Sequence, residues 1–172
     1  MSNPERDQTT DRVFRVADTP GYHASGIPWD DDSGDRLRDW IGLDKPGFYD
    51  PAKVALVPMG FCYPGKGASG DLPPRPECAP QWHDRVLATL PGERLTLLVG
   101  SYAQAHYLPT ARRQSLTENV RAFADFGARL LPLPHPSWRR MGWITRNPWF
   151  KAEVLPVLRR RVAGILREMQ IK

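Results

Sequence analysis

The sequence predicts an α/β fold, a three-layer α/β/α sandwich around a central four-stranded parallel sheet. Three observations carry that expectation. Four short apolar runs, beginning at Val13, Val54, Leu95 and Arg129, recur along the chain, each of strand rather than helix length. Stretches with apolar residues at helical spacing separate them. The runs are nearly continuous rather than alternating, as strands covered on both faces require.

Taken in order, residues 1–11 are polar and read as a disordered amino-terminal segment, with a single domain over 12–172. Val13 to Ala17 is the first strand. Thr19-Pro-Gly turns the chain, and Ser33-Gly-Asp opens a helix with Leu37, Trp40 and Ile41 on one face. In the second strand, Val54 to Met59, Pro58 points to a sheet edge or a strand end. Gly60 to Pro80 holds four glycines and five prolines, and so long an irregular connection is usually functional or mobile. A helix over Trp82 to Leu90 leads to the third strand at Leu95. Next comes a helix over Ser101 to Leu108, capped by Ser101. Ser115 or Thr117 starts a further helix near Glu118. The fourth strand, from Arg129, ends at His135-Pro-Ser. Trp149 to Met169 is a long amphipathic helix interrupted near Pro156. In a parallel sheet of this kind, sites gather at the carboxyl ends of the strands, where the notable loops lie.

Composition narrows the function classes. With 172 residues, 41% of them hydrophobic, the chain can bury a core without disulfide or metal staples. No apolar run approaches the roughly 18 residues of a membrane span, and the start lacks a signal-peptide core, so a cytoplasmic protein with no membrane partner is expected. A monomer is the default expectation, with nothing in the sequence that bears on oligomeric state. Two cysteines, Cys62 and Cys78, read as free thiols or metal-ligand remnants rather than a disulfide framework. Residues 1–86 hold 10 basic and 14 acidic side chains, whereas 87–172 hold 14 and 5. A basic carboxyl half suits a polyanion such as nucleic acid, although a solvated arginine-rich helix gives the same count.

Several strand-end segments, taken together, resemble the uracil-DNA glycosylase superfamily, and within it the bacterial iron–sulfur, thermostable-type branch. Ala17-Asp-Thr-Pro-Gly21 stands where that branch has Gly-Glu-Ala-Pro-Gly. Ser25-Gly-Ile-Pro-Trp29, then Ser33-Gly-Asp-Arg-Leu37, stand where it has Gly-x-Pro-Phe and a glycine-containing helix start. His135-Pro-Ser137 matches its second active-site motif. Cys62-Tyr-Pro-Gly65 resembles a Cys-Arg-Pro-Pro loop, with Cys78 following after fifteen residues. The resemblance covers roughly residues 13–165 and implies the α/β/α fold of that superfamily.

It also implies an activity: hydrolysis of the N-glycosidic bond of uracil in DNA by base flipping, a step of base excision repair. The alternative is a degenerate member that binds single-stranded or damaged DNA without releasing a base; a small hydrolase of free nucleosides is a third reading. The expected partner is uracil-containing DNA, single- or double-stranded. An enzyme acting on a base in DNA must extrude it, hold it in a pocket and grip the strand through its phosphates. Negative charge develops on the departing uracil, so a hydrogen-bond donor at its oxygen lowers the barrier, and His135 is the candidate, better placed than His83 or His106. Asp18 stands where a carboxylate would position water and stabilise the oxocarbenium-like sugar, with His23, Asp30 and Asp71 as rivals. Pro20, Gly21, Trp29, Gly60 and Phe61 are the expected base-binding residues, Trp29 by stacking. Ser137, Arg139 and Arg140 are the expected DNA contacts.

The sequence departs from the branch in three places. Ala17 replaces the motif's first glycine. Pro58 falls where a strand asparagine reads the pyrimidine edge, leaving that task to a main-chain amide at Gly60 or Phe61 or removing the selectivity. The branch's 4Fe–4S cluster takes four cysteines, two of them upstream of the first strand, and this chain has only Cys62 and Cys78. No cofactor is expected from this chain alone: either its amino end is shortened or the lineage has lost the cluster.

Overall fold

A computed structural model describes residues 14–18, 26–68, 70–90, 92, 94–109, 114–137 and 140–170. The segment 1–11, expected to be disordered, lies outside them. Strands β1 (Phe14–Asp18) and β2 (Val54–Pro58), a small hairpin of β3 (Lys66–Gly67) and β4 (Gly70–Asp71), then β5 (Thr96–Val99) and β6 (Leu130–Leu133) alternate with seven described helices. These are α1 (Asp32–Ile41), α2 (Lys45–Phe48), α3 (Cys78–Leu87), α4 (Ser101–Tyr107), α5 (Leu116–Arg121), α6 (Met141–Arg146) and α7 (Leu155–Gln170). The chain is a mixed helix and strand fold built on a parallel sheet, in the order β2-β1-β5-β6. Asp18 pairs with Pro58, Ala17 with Leu98, and Val99 with Leu133.

The burial of β5 explains its continuous apolar run. Leu97 and Val99 join the larger core, with Leu37, Trp40, Ile41, Phe150 and Leu158 from α1, the turn before α7 and α7 itself. Leu98 points the other way, into a smaller cluster with Met59, Ala79, Ala103 and Leu108. Side chains alternate across a strand, so apolar contacts on both faces demand apolar residues at every position. Pro58 and Pro132 sit in β2 and β6, the two edge strands, where a missing N–H need not break a ladder.

Three expectations need correction. The helix expected over Trp82 to Leu90 runs from Cys78 to Leu87, because Pro80 falls in its first turn, where no N–H partner is needed. The connection from Gly60 is correspondingly shorter and contains the β3–β4 hairpin. Ser101 does not cap α4: the cap is Gly100, at φ 86°, with no side-chain hydrogen bond, and a backbone in the left-handed region favours glycine. The last helix is interrupted near Pro156, as expected: a widened π turn, Phe150–Val154, precedes α7 and sets Pro156 in its first turn.

The sheet order sets a crevice at one end of the strands. The chain passes from β1 to β2 on one side and from β5 to β6 on the other. The carboxyl ends of β1 and β5 therefore flank the point where the strand order reverses, the crevice in which open α/β sheets bind ligands. Asp18 closes β1 there, Gly100 follows β5, and His135 lies two residues beyond β6.

Candidate active site

His135 is half-buried, and the loop that carries it is held from several sides. Leu133, the last residue of β6, accepts two hydrogen bonds at its carbonyl, 2.9 Å from the Gly100 amide and 2.9 Å from Gln104 Nε2. Gln104 is buried and takes its orientation from Asn119 of α5, whose Nδ2 donates to Gln104 Oε1 at 3.2 Å. One residue past the histidine, the Pro136 carbonyl accepts from Arg36 Nε of α1 at 2.6 Å. The Arg140 amide donates to the Ser137 carbonyl at 2.9 Å, closing the turn into α6.

A fifth contact fixes the chemistry of the ring. The Ser137 amide donates to His135 Nδ1 at 3.1 Å, so Nδ1 is the acceptor and the neutral imidazole carries its proton on Nε2. A neutral ring in that tautomer is a hydrogen-bond donor at Nε2.

Trp29 packs against this imidazole, ring centroids 5.5 Å apart and planes 24° from parallel. The ring expected to stack on a base is 4% exposed and belongs to the larger core. Its backbone lies at φ 65°, and it is the one non-glycine with positive φ among the described residues. For so bulky a residue this conformation costs on the order of 1–3 kcal/mol and persists only where the surroundings enforce it. They do so here through four contacts. Arg38, buried in α1, donates from Nη1 to the Trp29 carbonyl at 3.0 Å. Gly34 leaves room for that carbonyl, since a Cβ there would sit 1.7 Å from the oxygen. Tyr49 Oη donates to the Pro28 carbonyl at 2.8 Å, and Lys45 pairs with Asp30 at 2.5 Å. Burial pushes the Tyr49 phenol up, against the pull of Arg38, which keeps it protonated as a donor. The Asp30 carboxylate, hydrogen-bonded to Lys45, pushes that ammonium up as well.

Across the switch point, Asp18 closes β1 in register with Pro58. Beyond Pro58, Gly60 is half-buried and Phe61 exposed. The Phe61 amide donates to Cys78 Sγ at 3.3 Å, so of the two amides expected to read a base, this one already has a partner. Ser137 is half-buried and Arg140 exposed. Pro20, Gly21 and Arg139 lie outside the described residues, as does the rival His23. The structure thus gathers Trp29, His135, Ser137 and Arg140 on one loop system and sets the ends of β1 and β2 beside each other.

These features carry a family signature. A family model of the uracil DNA glycosylase superfamily matches residues 5–159. The chain belongs to the uracil-DNA glycosylase superfamily. Members of this superfamily act on DNA, and a glycosylase-type hydrolase role in DNA repair follows at that level. The superfamily resemblance also raised an iron–sulfur cluster, and the residues present do not fit one. Cys62 is exposed, Cys78 is half-buried at the start of α3 with its sulfur engaged by Phe61, and no group of three or more His, Cys, Asp or Glu among the described residues could hold a metal ion. No described helix is long and apolar enough to cross a membrane.

Several residues that shape the site were not legible as functional. Arg38, Gly34, Gln104 and Asn119 act on Trp29 or on the His135 loop. The available signal was chemical: a Gln and an Asn on otherwise apolar helix faces are costly to bury without partners.

Proposed function

We propose that this superfamily member releases uracil from DNA, hydrolysing the N-glycosidic bond of a nucleotide flipped out of the strand. The observation that carries the reading is the tautomer of His135: the Ser137 amide donates to Nδ1, so the neutral ring carries its proton on Nε2. As the bond to the sugar lengthens, negative charge collects on the pyrimidine, and a preorganised donor at its oxygen stabilises that charge. A neutral imidazole with its proton on Nε2 has the donor that this task needs. Asp18, at the neighbouring strand end, is assigned to the opposite side of the sugar, orienting water and offsetting the positive charge of the oxocarbenium-like centre. Ser137, Arg139 and Arg140 are assigned to the phosphates, and Pro20, Gly21, Trp29 and Gly60 to the walls of the base pocket.

One observation favours a second reading, a member that binds DNA without base release: the Trp29 ring is 4% exposed and lies against His135, leaving little of it for a base to stack on. One experiment separates the two. The purified protein is incubated with an end-labelled single-stranded oligonucleotide carrying one uracil, then treated with alkali. Cleavage at the uracil and not at a thymine control supports the glycosylase. Retained binding without cleavage supports the second reading.

A further inference from the structure

His83 belongs to none of the roles assigned so far, yet it is 1% exposed and bonded at both ring nitrogens. Its Nε2 donates to the Pro58 carbonyl at 2.9 Å. A carbonyl only accepts, so the proton is on Nε2 and the neutral ring presents a lone pair at Nδ1. The partner at Nδ1 is the Tyr107 hydroxyl of α4, the donor to a ring whose burial favours the neutral form. The His83 ring stacks on Tyr107, centroids 5.7 Å apart and planes 22° from parallel, and stands edge-on to Phe61 at 5.6 Å.

The same short stretch is held at each residue. Pro58 is bonded to His83. Met59 is buried among Ala79, Leu98, Ala103 and Leu108. A Cβ at Gly60 would meet Pro74 at 3.4 Å. Phe61 gives its amide to Cys78 and its ring to His83. This stretch continues β2 past the residue paired with Asp18, so it forms one rim of the crevice.

We propose that His83, set in one tautomer by Tyr107, is a positioning residue that fixes the 58–61 backbone as the edge selecting the base. The proposal rests on the reading of this crevice as a base pocket. Pro58 has no side-chain donor or acceptor, so selection along this rim falls to main-chain groups. Main-chain groups discriminate only where the backbone cannot adjust, and a displacement of about 1 Å can cost on the order of 100-fold in a positioned reaction.

The test compares His83→Gln, whose amide nitrogen can replace Nε2 as donor to Pro58, with His83→Leu, which has no donor. The probe is a strand carrying one cleavage-resistant 2′-fluoro-deoxyuridine, read by fluorescence anisotropy against the same strand with thymine. In His83→Leu the preference for uracil should fall roughly tenfold while thymine-strand affinity stays within about twofold, and His83→Gln should keep most of the preference. Equal losses in both variants, or parallel losses on both strands, overturn the proposal. Should His83→Leu not fold, Tyr107→Phe serves, with a smaller loss of preference expected in the same direction. If the wild type itself does not prefer uracil, the base-pocket reading fails, and two activity-independent measurements decide on positioning. Imidazole nitrogen spectra should place the His83 proton on Nε2. Hydrogen exchange at Met59 to Phe61 should be slow in the wild type and in His83→Gln and fast in the variant lacking the donor; unchanged exchange overturns the proposal.

Discussion

The Trp29 and His135 rings lie 5.5 Å apart with their planes 24° from parallel, and the Ser137 amide holds the imidazole from its Nδ1 side at 3.1 Å. The histidine is thus fixed in orientation before any ligand arrives, which is what electrostatic stabilisation of a developing charge requires. His135→Ala should lower single-turnover uracil release by about 100- to 1,000-fold, the usual effect of removing one such donor. Strand affinity should change by less than about threefold. Arg140→Ala should do the reverse, weakening binding on every sequence and reducing the salt slope by about one. Release kinetics and anisotropy titrations in a salt series check both, and equal effects of the two substitutions on both readouts would reject this division of roles.

Gly34 offers a test in which helix propensity and local packing predict opposite signs. Within a helix, Gly→Ala ordinarily stabilises by about 1 kcal/mol. Here the new Cβ would fall 1.7 Å from the Trp29 carbonyl oxygen, and the left-handed backbone of Trp29 could not be kept. Gly34→Ala should therefore destabilise, by about 1–3 kcal/mol as overpacking of a tight site does. Urea denaturation measures it. A stabilised variant would show that Gly34 does not enforce the strained turn.

The strand framework was legible because buried parallel strands leave a mark: Leu97, Leu98 and Val99 are all fully buried, where a half-exposed strand would alternate, and the run is too short for an ordinary helix. His135 was legible for the same reason, standing just past the end of such a run. Trp29's strained backbone was not, because its enforcers Arg38 and Tyr49 lie nine and twenty residues further along and meet it only in the folded chain. The start of α3 was hidden by Pro76 and Pro80, residues that read as loop even when one of them occupies a helix's first turn. His83 ranked below His135 because nothing in its flanking sequence announces that Pro58 and Tyr107 bracket its ring.

Asn119 is buried and spends its side chain on three partners: Gln104 Oε1, the Gln114 carbonyl and the Gln114 amide. Through Gln104 it reaches the Leu133 carbonyl, two residues before His135. Asn119→Leu should cost about 1–3 kcal/mol, since it strands a buried amide oxygen rather than removing both partners together. It should also lower uracil release more than strand affinity, because the His135 loop loses one of its braces. Replacing Gln104 and Asn119 together by apolar residues should cost less than the sum of the single changes, and a double-mutant cycle gives that coupling.

The Ser115 and Glu118 pair supplies a pH-dependent prediction with a definite sign. Ser115 caps α5, its hydroxyl accepting from the Glu118 amide, while Glu118 Oε2 accepts from the Ser115 amide at 2.9 Å and from its hydroxyl at 2.6 Å. Those donors hold the Glu118 carboxyl below its ordinary value of 4.5. As pH falls, the unfolded chain therefore takes up this proton before the folded one does. The stabilisation from the pair is complete above the ordinary value and is lost as pH drops through the lower folded value. Ser115→Ala should cost about 1 kcal/mol at pH 7, as loss of a helix cap does. Glu118→Gln should be less stable than the wild type at pH 7, and the gap should narrow as pH falls below the ordinary carboxyl value. Urea midpoints across that range test the sign, and a gap that widens on acidification would show that the carboxylate is not the stabilising form.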